Sequence, residues 1–255
     1  DITGDLIAGK IGGTNFTNSL LVGHATTGTL SSALRNVGVG ITALDALSTG
    51  DDNTVIGYQA GSGISTGSKN TVIGSAAGNA FTNKIENTLI GYVTGISLQG
   101  NYNTIVGSGA GDSTIAANFN LLLGRDSGKN ITTGHGNVML GSVDAASATG
   151  DRQLKISGYD GSTTTTWISG DSNGVVTFAD DIIIKDAGTI GSASDVDAIA
   201  IGADGDVTLT QDLELQHDGA ILSFGANDEV TLTHVHNDGL LLNTDMQLQF
   251  RDSAI

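Results

Sequence analysis

Asn53-Thr54-Val55-Ile56-Gly57 decides the fold, because the chain writes this stretch again and again. It returns as Asn70-Thr71-Val72-Ile73-Gly74, Asn87-Thr88-Leu89-Ile90-Gly91 and Asn103-Thr104-Ile105-Val106-Gly107. Asn120-Leu121-Leu122-Leu123-Gly124 and Asn137-Val138-Met139-Leu140-Gly141 follow. Upstream, Asn36-Val37-Gly38-Val39-Gly40 fits, as does Ser19-Leu20-Leu21-Val22-Gly23 with Ser in place of Asn. The repeat glycines, from Gly23 to Gly141, are 17 residues apart with a single step of 16. Self-similarity at a short fixed period specifies a solenoid, in which each unit buries its apolar face against the next. No reaction is written in such a signature.

Each unit sets two adjacent apolar residues between its Asn and its Gly, such as Val55 and Ile56. Successive strand residues point to opposite faces, so both faces carry apolar side chains and both need cover. The interior of the coil covers one. A second copy of the chain is the cheapest cover for the other, which leads to lateral association around a threefold axis. A further apolar site follows eleven residues after each Asn or its Ser equivalent, at Leu30, Leu47, Ile64, Phe81, Leu98 and Ile131. It reads as the second wall of a flattened coil. Ala60-Gly61, Ala77-Gly78, Ala110-Gly111 and Ser127-Gly128 mark one corner, and Thr49-Gly50, Thr66-Gly67 and Thr133-Gly134 the opposite one. Stacked Asn residues are expected to form a side-chain amide ladder, as in cross-β stacks. With neighbouring strands about 4.8 Å apart, eight coils make a rod on the order of 40 Å long.

The composition agrees with a structural role. The 255 residues include 38 Gly, no Pro, no Cys and one Trp, and Lys plus Arg number only 10. Gly without a Gly-X-Y period is not collagen, and regular apolar positions oppose disorder. Zero Cys removes disulfides, thiolate catalysis and Cys-ligated zinc together. A net charge of −17 opposes nucleic-acid binding, which needs clustered Lys and Arg, and it keeps a Gly-rich β assembly in solution. There is no apolar run of membrane-spanning length and no basic-then-apolar leader. The start at Asp1 without Met and the stop at Ile255 within a strand-like pattern read as a segment of a longer protein.

The organisation falls into a lead-in at 1–18, a repeat β-roll of eight coils at 19–150, a junction at 151–173 and a second repeat type at 174–255. In the junction, Gly158 keeps the glycine register but the Asn is lost, and Trp167 follows a run of Thr. A lone Trp there either packs the junction or stands exposed as a binding aromatic, and packing is the commoner use. In the last segment, Gly174-Val175-Val176-Thr177-Phe178 is answered by Gly205-Asp206-Val207-Thr208-Leu209, 31 residues on. Ile182-Ile183-Ile184 through Ile190 is answered at the same offset by Leu213-Glu214-Leu215 through Ile221. A third copy starts at Glu229-Val230-Thr231-Leu232, and Leu248 to Ile255 begins its second half. Alternation in Val207, Leu209, Leu213 and Leu215 marks strands with one wet face. Three such chains form a β-prismatic, triple-stranded shaft.

Asn53-Thr54-Val55-Ile56-Gly57-Tyr58-Gln59-Ala60-Gly61, with Thr66-Gly67-Ser68-Lys69-Asn70 restarting the cycle, resembles repeats in long fibre proteins of marine bacteriophages. It is also similar, with a longer period, to head repeats of trimeric autotransporter adhesins. The Asp206-Val207-Thr208-Leu209-Thr210, Leu240-Leu241-Leu242-Asn243 and Leu248-Gln249-Phe250 pattern likewise resembles the phage fibres. The resemblance implies an all-β homotrimeric fibre without enzymatic activity, extracellular on the virion. Its partners would be other virion tail proteins and a host surface receptor reached through regions outside this segment. The rival readings are the stalk or head of a bacterial trimeric surface adhesin and a polysaccharide-degrading fibre.

Candidate chemistry is sparse, and no cofactor is expected. His234-Val235-His236 puts both imidazoles on the face of Val230 and Leu232. Three chains would bring six nitrogens to the axis, an octahedral set for a transition metal, and the resemblance to trimeric fibres favours that use. The alternative is surface or hydrogen-bonded histidines beside the Asn237-Asp238-Gly239 turn. His24, His135 and His217 show no partner pattern. Asp204-Gly205-Asp206 reads as a solvated turn or a calcium site, without the spacing of known calcium loops. Gly63-Ile64-Ser65-Thr66-Gly67 has the spacing of a nucleophile elbow, but Ile64 and Thr66-Gly67 are already used by the coil. Gly107-Ser108-Gly109-Ala110-Gly111 is likewise a coil corner, with no helix after it to hold a phosphate.

Overall fold

A computed structural model of the protein describes residues 9–23, 27–113, 116–183, 188–192, 195–201, 206–209, 212–215, 220–224, 230–235 and 239–242. Among these there is no helix. The chain divides into two compact units, Asp1–Ile182 and Ile183–Ile255.

The first unit is a parallel β-solenoid. Its strands are β1 (Gly9–Ile11), β2 (Phe16–Thr17), β3 (Leu20–Val22), β4 (Ala33–Leu34), β5 (Val37–Val39), β6 (Thr54–Ile56) and β7 (Thr71–Ile73). They continue with β8 (Thr88–Ile90), β9 (Thr104–Val106), β10 (Leu121–Leu123), β11 (Val138–Leu140), β12 (Leu154–Tyr159), β13 (Thr164–Gly170) and β14 (Val176–Phe178). Strand β3 and strands β5 to β11 pair in parallel with no slip, each repeat residue facing its counterpart in the next coil. Each strand is only three residues long, so its middle residue faces inward and its flanks outward.

The core is a set of columns running through the stack. Leu21, Val55, Val72, Leu89, Ile105, Leu122 and Met139 supply the strand column and are buried. Ala43, Ala60, Ala77 and Ala110 form a small-residue column, while Leu47, Ile64, Phe81, Leu98 and Ile131 form a large one. That large column occupies the expected second wall, but its residues lie outside any strand. Backbone bonds between coils, such as Ser48 N to Ser65 O and Ser65 N to Thr82 O at 2.9 Å, hold that side. One coil swaps its sizes: Gly38 stands in the strand column and Leu44 fills the corner that Gly61 or Gly78 leaves small elsewhere.

The repeat glycine has a backbone reason. Gly57 has φ +139° and a Cβ there would stand 2.5 Å from the Gly74 carbonyl oxygen. Its amide donates to Val39 O at 2.8 Å, so the coil cannot open to admit a side chain.

Both ends of the sheet change direction. Strand β1 pairs antiparallel with β3, and Phe16 on β2 plugs the first coil, 1% exposed. At the far end β12 adds in parallel to β11, then β13 and β14 follow antiparallel. Residues 151–173, read as a junction, therefore continue the same sheet and close it as a meander. Such end strands protect the parallel edge from further growth.

The second unit contains β15 (Gly188–Ser192), β16 (Asp195–Ile201), β17 (Val207–Leu209), β18 (Ile221–Phe224), β19 (Val230–Val235) and β20 (Gly239–Leu242). They form two three-stranded antiparallel sheets, β15-β16-β17 and β18-β19-β20. Val207, Leu209, Leu213 and Leu215 are all exposed in the single chain, so these four apolar side chains stand uncovered. Residues 1–8 of the 1–18 lead-in and the third-copy residues 248–255 lie outside the described residues.

Candidate functional site

The surface chemistry of the solenoid is arranged in columns, set by two polar ladders. In the first, the repeat asparagines are fully enclosed. The Nδ2 of Asn53 donates to Asn36 Oδ1 at 2.9 Å, and Asn70 to Asn53 at 3.0 Å. Asn87, Asn103 and Asn120 continue the series at 3.1 to 3.3 Å. Each Oδ1 also accepts the backbone amide of the next Asn, from Asn53 to Asn137, at 2.8 to 3.1 Å. Ser19 Oγ starts the ladder and Gln153 ends it, its Nε2 3.2 Å from Asn137 Oδ1. Gln153 thus replaces the Asn that the sequence lacks there. It also donates to Gly150 O and Ser147 O, and Asn137 Nδ2 is left without a partner.

A second ladder, invisible as a motif, lies two positions before each Asn. Leu34 N donates to Asp51 Oδ1, Asp51 N to Ser68 Oγ, and Ile85 N to Asn101 Oδ1. Asn101 N donates to Asn118 Oδ1 at 2.7 Å, Asn118 N to His135 Nδ1 at 3.0 Å, and His135 N to Asp151 Oδ1 at 2.7 Å. His135, which showed no partner pattern in sequence, is a rung of this ladder. Because its Nδ1 accepts, the bound imidazole carries its proton on Nε2.

Between the ladders runs an exposed column in left-handed backbone: Arg35, Asp52, Lys69, Glu86, Tyr102, Phe119, Gly136 and Arg152, with φ between 51° and 65°. Its side chains pair across coils. Arg35 Nη2 meets Asp52 Oδ2 at 2.8 Å, and Lys69 Nζ meets Glu86 Oε1 at 3.2 Å. The Arg35 hydrogen bond holds the Asp52 carboxyl below its usual range. Tyr102 and Phe119 stack with centroids 4.9 Å apart and planes 3° from parallel. Gly136 leaves the next rung empty.

Beside that column, the sheet turns its remaining residues outward. Val39, Ile56 and Leu123 are about two-fifths exposed, and Ile73, Ile90, Val106 and Leu140 are half-buried. Thr54, Thr71, Thr88 and Thr104 line up next to them. A continuous aliphatic and Thr strip therefore lies open along the solenoid. In the end meander, Trp167 lies over Gly158, where a Cβ would be 2.6 Å from the indole Cη2, yet it remains 55% exposed. It both packs the turn and borders a concave surface with Phe178, Asp180 and Asp181.

The other sequence candidates separate. His234 is half-buried on β19, its amide bonded to Ala220 O at 2.9 Å, and shares a concave surface with Leu222 and Leu232. His236, His24 and His217 lie outside the described residues, as do Asp204 and Gly205. Among the described residues no three potential metal ligands gather. Ile64 is core and Ser65 Oγ is 2.9 Å from Ser48 Oγ, so the Gly63–Gly67 stretch is coil corner. Ala110 within Gly107–Gly111 is buried in the same way. No described helix is long and apolar enough to cross a membrane. Comparison of the chain with protein-family models, with curated proteins and with solved structures returned no match.

Proposed function

We propose that this chain is a shaft segment of a homotrimeric bacteriophage tail fibre, serving host-cell attachment by holding a receptor-binding region away from the virion. The outward aliphatic strip carries the reading. An enclosed coil has no use for Ile56, Ile73 and Ile90 on its outer face, and sister chains packed against that face would bury them. The amide ladders suit a mechanical part, since every coil is bonded to both neighbours through buried groups. The repeat motif's resemblance to marine phage fibres supplies the biological setting. The β-prismatic form of the second unit belongs to the same proposal, because its exposed Val207, Leu209, Leu213 and Leu215 would meet across the trimer axis. Partners would be other tail proteins and a host receptor, and the work is structural rather than enzymatic.

Immunogold labelling with antibody against this chain tests the setting. Label along fibres of released virions is expected. Label on the surface of uninfected bacterial cells would replace this reading with the surface adhesin.

A further inference from the structure

We infer that the solenoid carries its own glycan-stacking slot, at the empty rung between Phe119 and Arg152. The shaft reading places recognition outside this segment, so the slot goes beyond it.

The outward column is filled at every rung but one. Tyr102 and Phe119 occupy successive rungs as parallel rings, and Phe119 turns its free face to the next rung. That rung is Gly136, which has no side chain, and a Cβ built on it meets only Arg152 Cγ, at 3.6 Å. Phe119 therefore floors a gap one coil thick, about 4.8 Å, and the Arg152 stem roofs it. Phe119 is 63% exposed, an apolar ring offered to solvent on a chain that encloses its core aliphatics completely.

The column faces water. Four of its members, Arg35, Asp52, Lys69 and Glu86, form two ion pairs at 37 to 62% side-chain exposure, and burying such pairs against a sister chain would cost several kcal/mol per ion. The slot thus remains open if the aliphatic strip is covered.

The rim decides the class of occupant. Arg152 makes no ion pair among the described residues, and its guanidinium offers donors without acceptors. His135 Nε2–H lies on the neighbouring ladder, as does Asp151, whose Oδ1 alone is used by His135 N. A flat group with one apolar face and an edge of hydroxyls fits this set: a pyranoside, its C–H face on Phe119 and its hydroxyls on Arg152, His135 and Asp151. A nucleobase is disfavoured, because its phosphates would meet a chain of net charge −17.

Saturation-transfer NMR on the full chain tests the slot, with methyl β-D-glucopyranoside and methyl β-D-glucuronide as separate probes. Wild type is expected to transfer saturation to the C–H protons of one sugar face. Gly136→Phe, which continues the stack in a backbone conformation that Phe119 already adopts, should abolish the transfer. Phe119→Ala should reduce it at least tenfold, and Trp167→Ala should leave it intact. A glucuronide preference that disappears in Arg152→Gln identifies an acidic sugar; equal transfer to both probes identifies a neutral one. No transfer to either probe, or transfer that survives Gly136→Phe, overturns the proposal. Oligomeric state plays no part in this readout, so its failure leaves the shaft reading standing.

Discussion

At the scale of the residue, the buried asparagine of a middle coil bonds to the coil on each side of it. Asn70 Nδ2 donates to Asn53 Oδ1 at 3.0 Å and to Lys84 O at 2.8 Å, while its Oδ1 accepts the Asn87 amide at 3.0 Å. Truncation in Asn70→Ala strands the Lys84 carbonyl and the Asn87 amide in the interior. An unmet buried group costs about 1–3 kcal/mol, so the loss should be about 3 kcal/mol or more, read from denaturant unfolding. A variant within about 0.5 kcal/mol of wild type would mean that water relieves both groups. This asparagine and the repeat glycine were legible because, within the stack, each has a requirement that few residues meet. The amide must donate and accept along the stack, and Gly57 must sit at φ +139° against a carbonyl. Gln153 was not legible as the closing rung, because its longer side chain reaches the same Oδ1 from a coil that has lost the motif.

Among the elements, the three-residue strands were legible, and the outer columns were not. In Arg35–Asp52, Lys69–Glu86 and Tyr102–Phe119 the chemistry changes from pair to pair, and only the 17-residue spacing is constant. A search for one repeated residue type passes over such a column. The expected second wall was legible as a column, but its large side chains point inward from backbone outside any strand. The end meander offers a test through its turns. Asp160 Oδ1 accepts the amides of Thr163 at 2.7 Å and Ser162 at 2.8 Å, and these bonds, Thr163 first, hold its carboxyl below the ordinary range. The turn bonds persist above the unfolded carboxylate pKa of about 3.9 and are lost as pH falls through the lower folded value. In a ¹³C-detected titration the folded Asp160 carboxyl should titrate below the unfolded carboxylate value of about 3.9, with the Thr163 amide shifting in step. A midpoint at the unfolded value would show that the turn bonds do not hold in solution.

For the molecule as a whole, the question is whether the aliphatic strip is surface or interface. Taking a Val, Leu or Ile fully from water contributes about 1.5–3 kcal/mol, and these side chains are already half covered, so about 1 kcal/mol remains for each. Eight coils from each of two facing chains give on the order of 15 kcal/mol, comparable with the roughly 4–15 kcal/mol that association costs. Electrostatics opposes assembly, since three copies carry three times −17, or −51. Because salt screens that repulsion, association should tighten as ionic strength rises, opposite to an assembly held by ion pairs. Light scattering on the purified chain should therefore give three times 25.7 kDa, with any dissociation seen first at low salt. Ile73→Asp places a carboxylate on the outer face, where water in the single chain tolerates it and a dry interface does not. Leaving a charge unpaired in such an interface costs several kcal/mol, enough to return the mass to 25.7 kDa with the β-sheet circular dichroism unchanged. A wild-type monomer at all salt concentrations would remove the trimer. A threefold mass that survives both Ile73→Asp and Ile56→Lys would keep the trimer and move its interface off the strip.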